Sequence, residues 1–176
     1  LRYERKYIIP SRSKYLVKHI LNSSDLRFYK QYEDRVVNSI YLDNNNLRFY
    51  FENINGDNIR KKIRIRWYGG LDFIKTPRLE IKKKNNKLGD KIIYNLDNFE
   101  LPRSSNILIN LIDFLVKKHY PKELIYELST LQPTLFVSYK RNYYISKLID
   151  CRVTFDEEII YERVNTKSIF ELKSHA

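Results

Sequence analysis

The sequence predicts an α+β domain built on a small, closed antiparallel β-barrel with flanking helices, and three observations carry that prediction. Alternation of apolar and polar residues with period two recurs at 2–9, 35–42, 59–68, 77–84, 134–145 and 151–160, with a shorter run at 168–173. Helical spacing is confined to two or three stretches. The alternating runs mostly follow one another through short turns, which suits antiparallel pairing, and closure removes sheet edges while housing strands whose second face is charged.

Composition sets the outer limits. A chain of 176 residues with 43% hydrophobic content reads as a single domain, 1–176, able to bury a core without disulfides. Only four glycines and five prolines argue against a disordered linker, and 15 tyrosines with 9 phenylalanines favour half-buried strands. Thirty-three Lys and Arg against 21 Asp and Glu leave a net charge of +12, so the expected partner is polyanionic: nucleic acid, anionic membrane or phosphate. The lone cysteine, Cys151, excludes an internal disulfide and fits a reducing compartment, so a cytoplasmic location is expected. No stretch has the length and apolarity of a membrane span, and LRYERKYIIP lacks the apolar run of a signal peptide. Attachment to a membrane would have to come from a larger parent protein.

Along the chain, a first helix is predicted to start at Ser11 with Tyr15, Leu16, His19 and Ile20 as its apolar side. A second, capped by Ser104 or Ser105, carries the stripe Leu108, Leu111, Ile112, Leu115 and Val116 and stops before Pro121; a short third covers 122–129. Turn residues stand at Asn44-Asn45-Asn46, Asn55-Gly56-Asp57, Gly69-Gly70, Asn85-Asn86 and Leu88-Gly89-Asp90.

The alternation separates charge from apolar bulk. Residues two apart share a face of a strand, so Arg60, Lys62, Arg64 and Arg66 form one row, while Ile59, Ile63, Ile65 and Trp67 form the other, with Lys61 as the exception. Arg78, Glu80, Lys82 and Lys84 likewise oppose Leu79 and Ile81. Arg2, Glu4 and Lys6 alternate with Tyr3 and Tyr7, and Arg152, Thr154, Asp156 and Glu158 with Cys151, Val153 and Phe155. One such row is ordinarily a solvated outer face. Its repetition, with acids set among the bases, instead suits a metal–phosphate site, where carboxylates hold Mg²⁺ or Mn²⁺ and Arg and Lys neutralise phosphate oxygens. Lys83, Lys84 and Lys87 read as an exposed hairpin tip, and His19, His119 and His175 lack ligand spacing. Cys151 has no histidine near it in sequence to act as a base.

These motifs resemble the VTC domain, the polyphosphate polymerase module of the triphosphate tunnel metalloenzyme (CYTH-like) superfamily. The resemblance rests on Arg2-Tyr3-Glu4-Arg5-Lys6-Tyr7, Val37-Asn38-Ser39-Ile40-Tyr41-Leu42-Asp43, Ile63-Arg64-Ile65-Arg66-Trp67-Tyr68-Gly69, Leu79-Glu80-Ile81-Lys82, Gly89-Asp90-Lys91, Ser138-Tyr139-Lys140-Arg141, Cys151-Arg152-Val153-Thr154-Phe155-Asp156 and Phe170-Glu171-Leu172-Lys173, in the family's order. It implies a closed eight-stranded tunnel in which Lys6, Arg64, Arg66, Lys82, Lys91, Arg141 and Arg152 bind phosphate, with Lys6, Arg64, Arg66 and Arg141 nearest the chemistry. It assigns the metal, Mn²⁺ or Mg²⁺, to Glu171, with Glu4 and Glu80 as further candidate acids.

The implied reaction moves the γ-phosphoryl of ATP onto an inorganic polyphosphate chain. A triphosphatase of the same superfamily and a non-catalytic polyphosphate-binding domain are the alternatives. Arg2 stands where the wider superfamily has the first acid of a Glu-x-Glu-x-Lys motif, which leans toward the polymerase branch. The family's C-terminal helix is expected to be missing, since the chain ends at Ala176. A nucleic-acid partner is not expected, because Glu4, Glu80 and Asp156 would repel a phosphodiester backbone.

Overall fold

The computed structural model describes residues 4–71, 74–86, 88–101 and 106–164. A 3₁₀ turn (Ser11–Ser13) leads into α1 (Lys14–Ser23). There follow β1 (Phe28–Asp43), α2 (Arg48–Ile54), β2 (Ile59–Tyr68), β3 (Lys75–Asn85), β4 (Leu88–Asn95), α3 (Ile107–Lys117), α4 (Lys122–Ser129), β5 (Gln132–Ser146) and β6 (Arg152–Arg163). The strands form one antiparallel sheet in the order β4-β3-β2-β1-β5-β6.

The expected closed, eight-stranded barrel is therefore corrected: the described strands make a six-stranded sheet that is not closed into a barrel, with β4 and β6 at its edges. Closure would require edge strands to pair. The alternating run at 2–9 forms no strand over its described residues, which lie exposed. The run at 168–173 lies outside the described residues.

The chain divides into two compact units. The larger comprises Arg35–Lys140 and the chain from Asp156 onward. Its core follows from strand parity: Leu42, Ile63 and Ile81 stand in one cross-strand row, and Ile40, Ile65 and Leu79 in the next, all buried on the same side of the sheet. Trp67 continues the buried side of β2 and stacks on Phe136, with ring centroids 6.1 Å apart. Ile107, Leu111 and Leu115 of α3 and Leu124 and Leu128 of α4 belong to this core, so the expected stripe is found with Ile107 added and Val116 left exposed. Helix α3 starts at Ile107, with Asn106 at the cap position; Ser104 and Ser105 lie outside the described residues.

Two elements escaped the periodicity. Helix α2 fills the gap between two turn signals, and Asp43 organises its start. Asp43 Oδ1 accepts the amides of Asn44 (2.8 Å) and Phe49 (3.0 Å), and Oδ2 accepts that of Tyr50 (2.8 Å). Asn44 Oδ1 adds a bond from the Arg48 amide at 3.0 Å. Strand β4 begins inside what reads as a turn, Leu88-Gly89-Asp90; Leu88 already pairs with Asn85, the last residue of β3, and Asn86 adopts φ 54°.

The smaller unit comprises the chain to Asp34 and Arg141–Phe155. Ser146 Oγ donates to the Leu26 carbonyl at 2.5 Å and accepts the amides of Leu148 and Ile149. Tyr32 meets Tyr143 edge-on. The apolar side expected for the first helix is not its buried side: Tyr15, Leu16 and Ile20 are exposed, and Lys14, Val17, Lys18 and Leu21 are half-buried. The half-buried set keeps i, i+3, i+4, i+7 spacing, so the helix is amphipathic with two lysines on its inner side.

Candidate functional site

Opposite the core, the larger unit carries a charged sheet face, built by register. Lys62, Lys82 and Lys91 stand in one cross-strand row of β2, β3 and β4; Arg64, Glu80 and Ile93 form the next; Arg66, Arg78 and Asn95 form the third. On the β1 side, Tyr41 faces Arg64 and Ser39 faces Arg66. Arg60 and Lys84 extend the ladder at one end. One acid, Glu80, sits in these rows.

Glu80 is the hub. Its side chain is 3% exposed, yet it remains charged because cations surround it. Oε2 accepts from Arg64 Nε at 2.8 Å and Nη2 at 2.6 Å, and Oε1 accepts from Lys91 Nζ at 2.7 Å. Arg66 Nη1 lies 3.9 Å from Oε2. Burial alone would raise this carboxyl, but the Lys91 bond, the charge and bonds of Arg64 and the charge of Arg66 bring it down to about 2. The Arg64 guanidinium is shifted up despite its burial, by Tyr41 and Glu80; its Nη1 donates to the Tyr41 hydroxyl at 3.0 Å.

Arg66 is held differently. Its side chain is only 10% exposed, and Nε donates to Ser39 Oγ and Nη2 to Tyr139 Oη, each at 3.2 Å. Those acceptors are neutral. Among the described residues, Arg64, Arg66 and Lys91 thus gather three positive charges around one negative charge, a local surplus of +2, with Arg64, Arg66 and Glu80 largely buried. A buried charge without full compensation is costly, and an anionic ligand offsets that cost.

Of the residues expected at the site, the structure brings together Arg64, Arg66, Lys91 and Glu80, and puts Lys82 on the same face. Lys6, Arg141, Arg152 and Glu4 belong to the smaller unit. There Lys6 is 86% exposed, with Nζ 3.9 Å from Glu4 Oε1, Arg141 lies 6.0 Å from the Tyr143 ring centroid, and Arg152 is exposed. Glu171 lies outside the described residues. Sequence reasoning missed Ser39, Tyr41 and Tyr139, the hydroxyls that orient the two arginines. Ser39 and Tyr41 share a strand face by parity, which would have found them had neutral donors been sought beside the charged row.

Among the described residues no group of three His, Cys, Asp or Glu side chains could hold a metal ion, and both oxygens of Glu80 are engaged by cations. Nor, among the described residues, is any helix long and apolar enough to cross a membrane.

These features define a basic α+β domain with a cation-lined sheet face. The chain belongs to the VTC domain family, whose profile matches residues 1–175, essentially its full length; the family is linked to polyphosphate metabolism. No curated protein matches it.

Proposed function

We propose that this chain binds an inorganic polyphosphate or triphosphate chain on the Arg64–Arg66–Lys91 face and transfers the γ-phosphoryl of ATP onto polyphosphate. The observation that carries the reading is Arg66, a buried guanidinium held by the neutral oxygens of Ser39 and Tyr139 beside a cluster with surplus positive charge. Guanidinium groups bind phosphate through paired N–H donors, and amines such as Lys91 and Lys82 act as point charges along the chain.

Phosphoryl transfer asks little covalent chemistry of the protein. The bond from the γ-phosphorus to ADP breaks, and a terminal polyphosphate oxygen takes its place. Fixed cations stabilise the charge spreading over the equatorial oxygens, and they hold attacking and leaving oxygens in line. Lys6, Arg141 and Arg152 are proposed as further phosphate ligands on the strength of the motif match. The divalent ion, Mn²⁺ or Mg²⁺, is proposed on Glu171, where it would neutralise phosphate charge; recognition on the described face comes from the chain's own cations.

Incubation with ATP and Mn²⁺ followed by gel analysis tests the reading. Long phosphate chains are expected. Orthophosphate alone would make the protein a triphosphatase, and tripolyphosphate binding without turnover would make it a binding domain. Failure of the wild-type chain to bind tripolyphosphate would remove the proposal altogether.

A further inference from the structure

The three cations of the cluster are not held alike. Arg64 is fixed by three bonds to two partners: Nε and Nη2 on Glu80 Oε2, Nη1 on the Tyr41 hydroxyl, with its side chain 13% exposed. Lys91 has one bond in the cluster, to Glu80 Oε1 at 2.7 Å, and its side chain is 38% exposed on the edge strand β4. Its cross-strand neighbour on the same face is Lys82, a like charge placed directly opposite. Lys91 is thus the most loosely tethered of the three and the most open to an incoming phosphate.

We infer that Glu80 is a built-in counter-anion: it keeps Arg64 oriented throughout, and it holds Lys91 until an incoming phosphate group takes Lys91 away. This rests on the reading of the face as a phosphate site. Glu80 is then a positioning residue with a cost attached, since its negative charge lies beside the phosphate it helps to receive. It keeps a strongly cationic face folded and sets a lower affinity than the cations alone would give, which suits a site through which a chain must advance as well as bind.

Calorimetric titration of tripolyphosphate into the full chain, at several salt concentrations, tests this. Glu80→Gln, which keeps an oxygen for Arg64 but removes the charge, is expected to bind about tenfold more tightly than wild type. Its dependence of log affinity on log salt is expected to steepen by about one unit. In a Lys91→Gln background most of that gain is expected to disappear, because the competition is for Lys91. A merely structural role for Glu80 predicts weaker binding in Glu80→Gln, and weaker or unchanged binding overturns the inference, as does an equal gain without Lys91.

A readout on the wild-type chain covers a variant that fails to fold: with ¹³C-labelled glutamate, the Glu80 carboxylate resonance should move on adding tripolyphosphate, and an unmoved resonance rejects the exchange. Absence of binding by wild type overturns the phosphate reading and this inference with it; binding by wild type without a gain in Glu80→Gln overturns the inference alone.

Discussion

Acid should unfold this protein partly through one carboxylate. Glu80 sits at about 2 in the folded chain against an ordinary value of 4.5. The difference of 4.5 − 2 = 2.5 units, at about 1.36 kcal/mol each, gives an upper figure of about 3.4 kcal/mol. Lys91, one of the groups responsible, is 38% exposed and screened by solvent, so about 2–3 kcal/mol is the working value. The sign follows from a depressed acid: the stabilisation is complete above pH 4.5 and is lost as the pH falls from there toward 2. Urea unfolding of wild type and Glu80→Gln at low salt, from pH 7 down to pH 2.5, measures it. At pH 7 the wild type should be more stable by that amount, and the two should converge as Glu80 takes up its proton. Other carboxylates titrate in both proteins and cancel. Parallel curves, with a constant gap across the range, would refute the assignment of Glu80 as the charged hub.

Other consequences can be checked separately. Arg66→Lys keeps the charge but loses the fork that reaches Ser39 and Tyr139, and should weaken tripolyphosphate binding by roughly tenfold in the same titration. Asp43→Ala removes the two carboxylate oxygens that accept three backbone amides at and before the start of α2 and should lower the unfolding free energy by about 2 kcal/mol, with Asp43→Asn intermediate, as read by denaturant midpoints. Leu111→Ala opens a cavity under α3 at a fully buried site and should cost about 3 kcal/mol or more by the same assay, leaving tripolyphosphate affinity of the folded protein unchanged. If divalent-ion chemistry rests on Glu171, Glu171→Gln should abolish product formation from ATP while retaining tripolyphosphate binding.

What could be read from the sequence was whatever depends on parity. Ile63, Ile65 and Trp67 on one side of β2 and Arg64 and Arg66 on the other follow from the two-residue repeat, and the structure places them so. The α3 stripe was legible for the same reason, a sustained period with a breaker at its end. Elements that depend on a partner were not. The 2–9 run alternates as well as any strand, yet its described residues form none and lie exposed, because alternation alone does not supply a neighbouring strand to pair with. Helix α2 is too short for a period and owes its start to Asp43 and Asn44, which read equally well as turn residues. The local signal for the first helix was sound, but not the choice of buried face, because its lysines' aliphatic stems can line an inner side as Val17 and Leu21 do. Within the site, motif order singled out Arg64, Arg66 and Lys91, whereas the ion-pairing of Glu80 needed the cross-strand register to become visible.

That register also bears on how the sheet assembles. A slip of one residue between β1 and β2, or between β2 and β3, would turn Arg64 and Arg66 into the space now filled by Leu111, Leu115 and Phe136, and would put Ile63 and Ile65 on the charged face beside Glu80. Mispaired sheets would thus bury bare guanidinium groups, at a cost no folding intermediate could sustain. Any variant that neutralises the charged row, however well its core is kept, should fold with less certainty about which residues face each other, and the cations kept for a polyanion double as the chain's check on its own strand pairing.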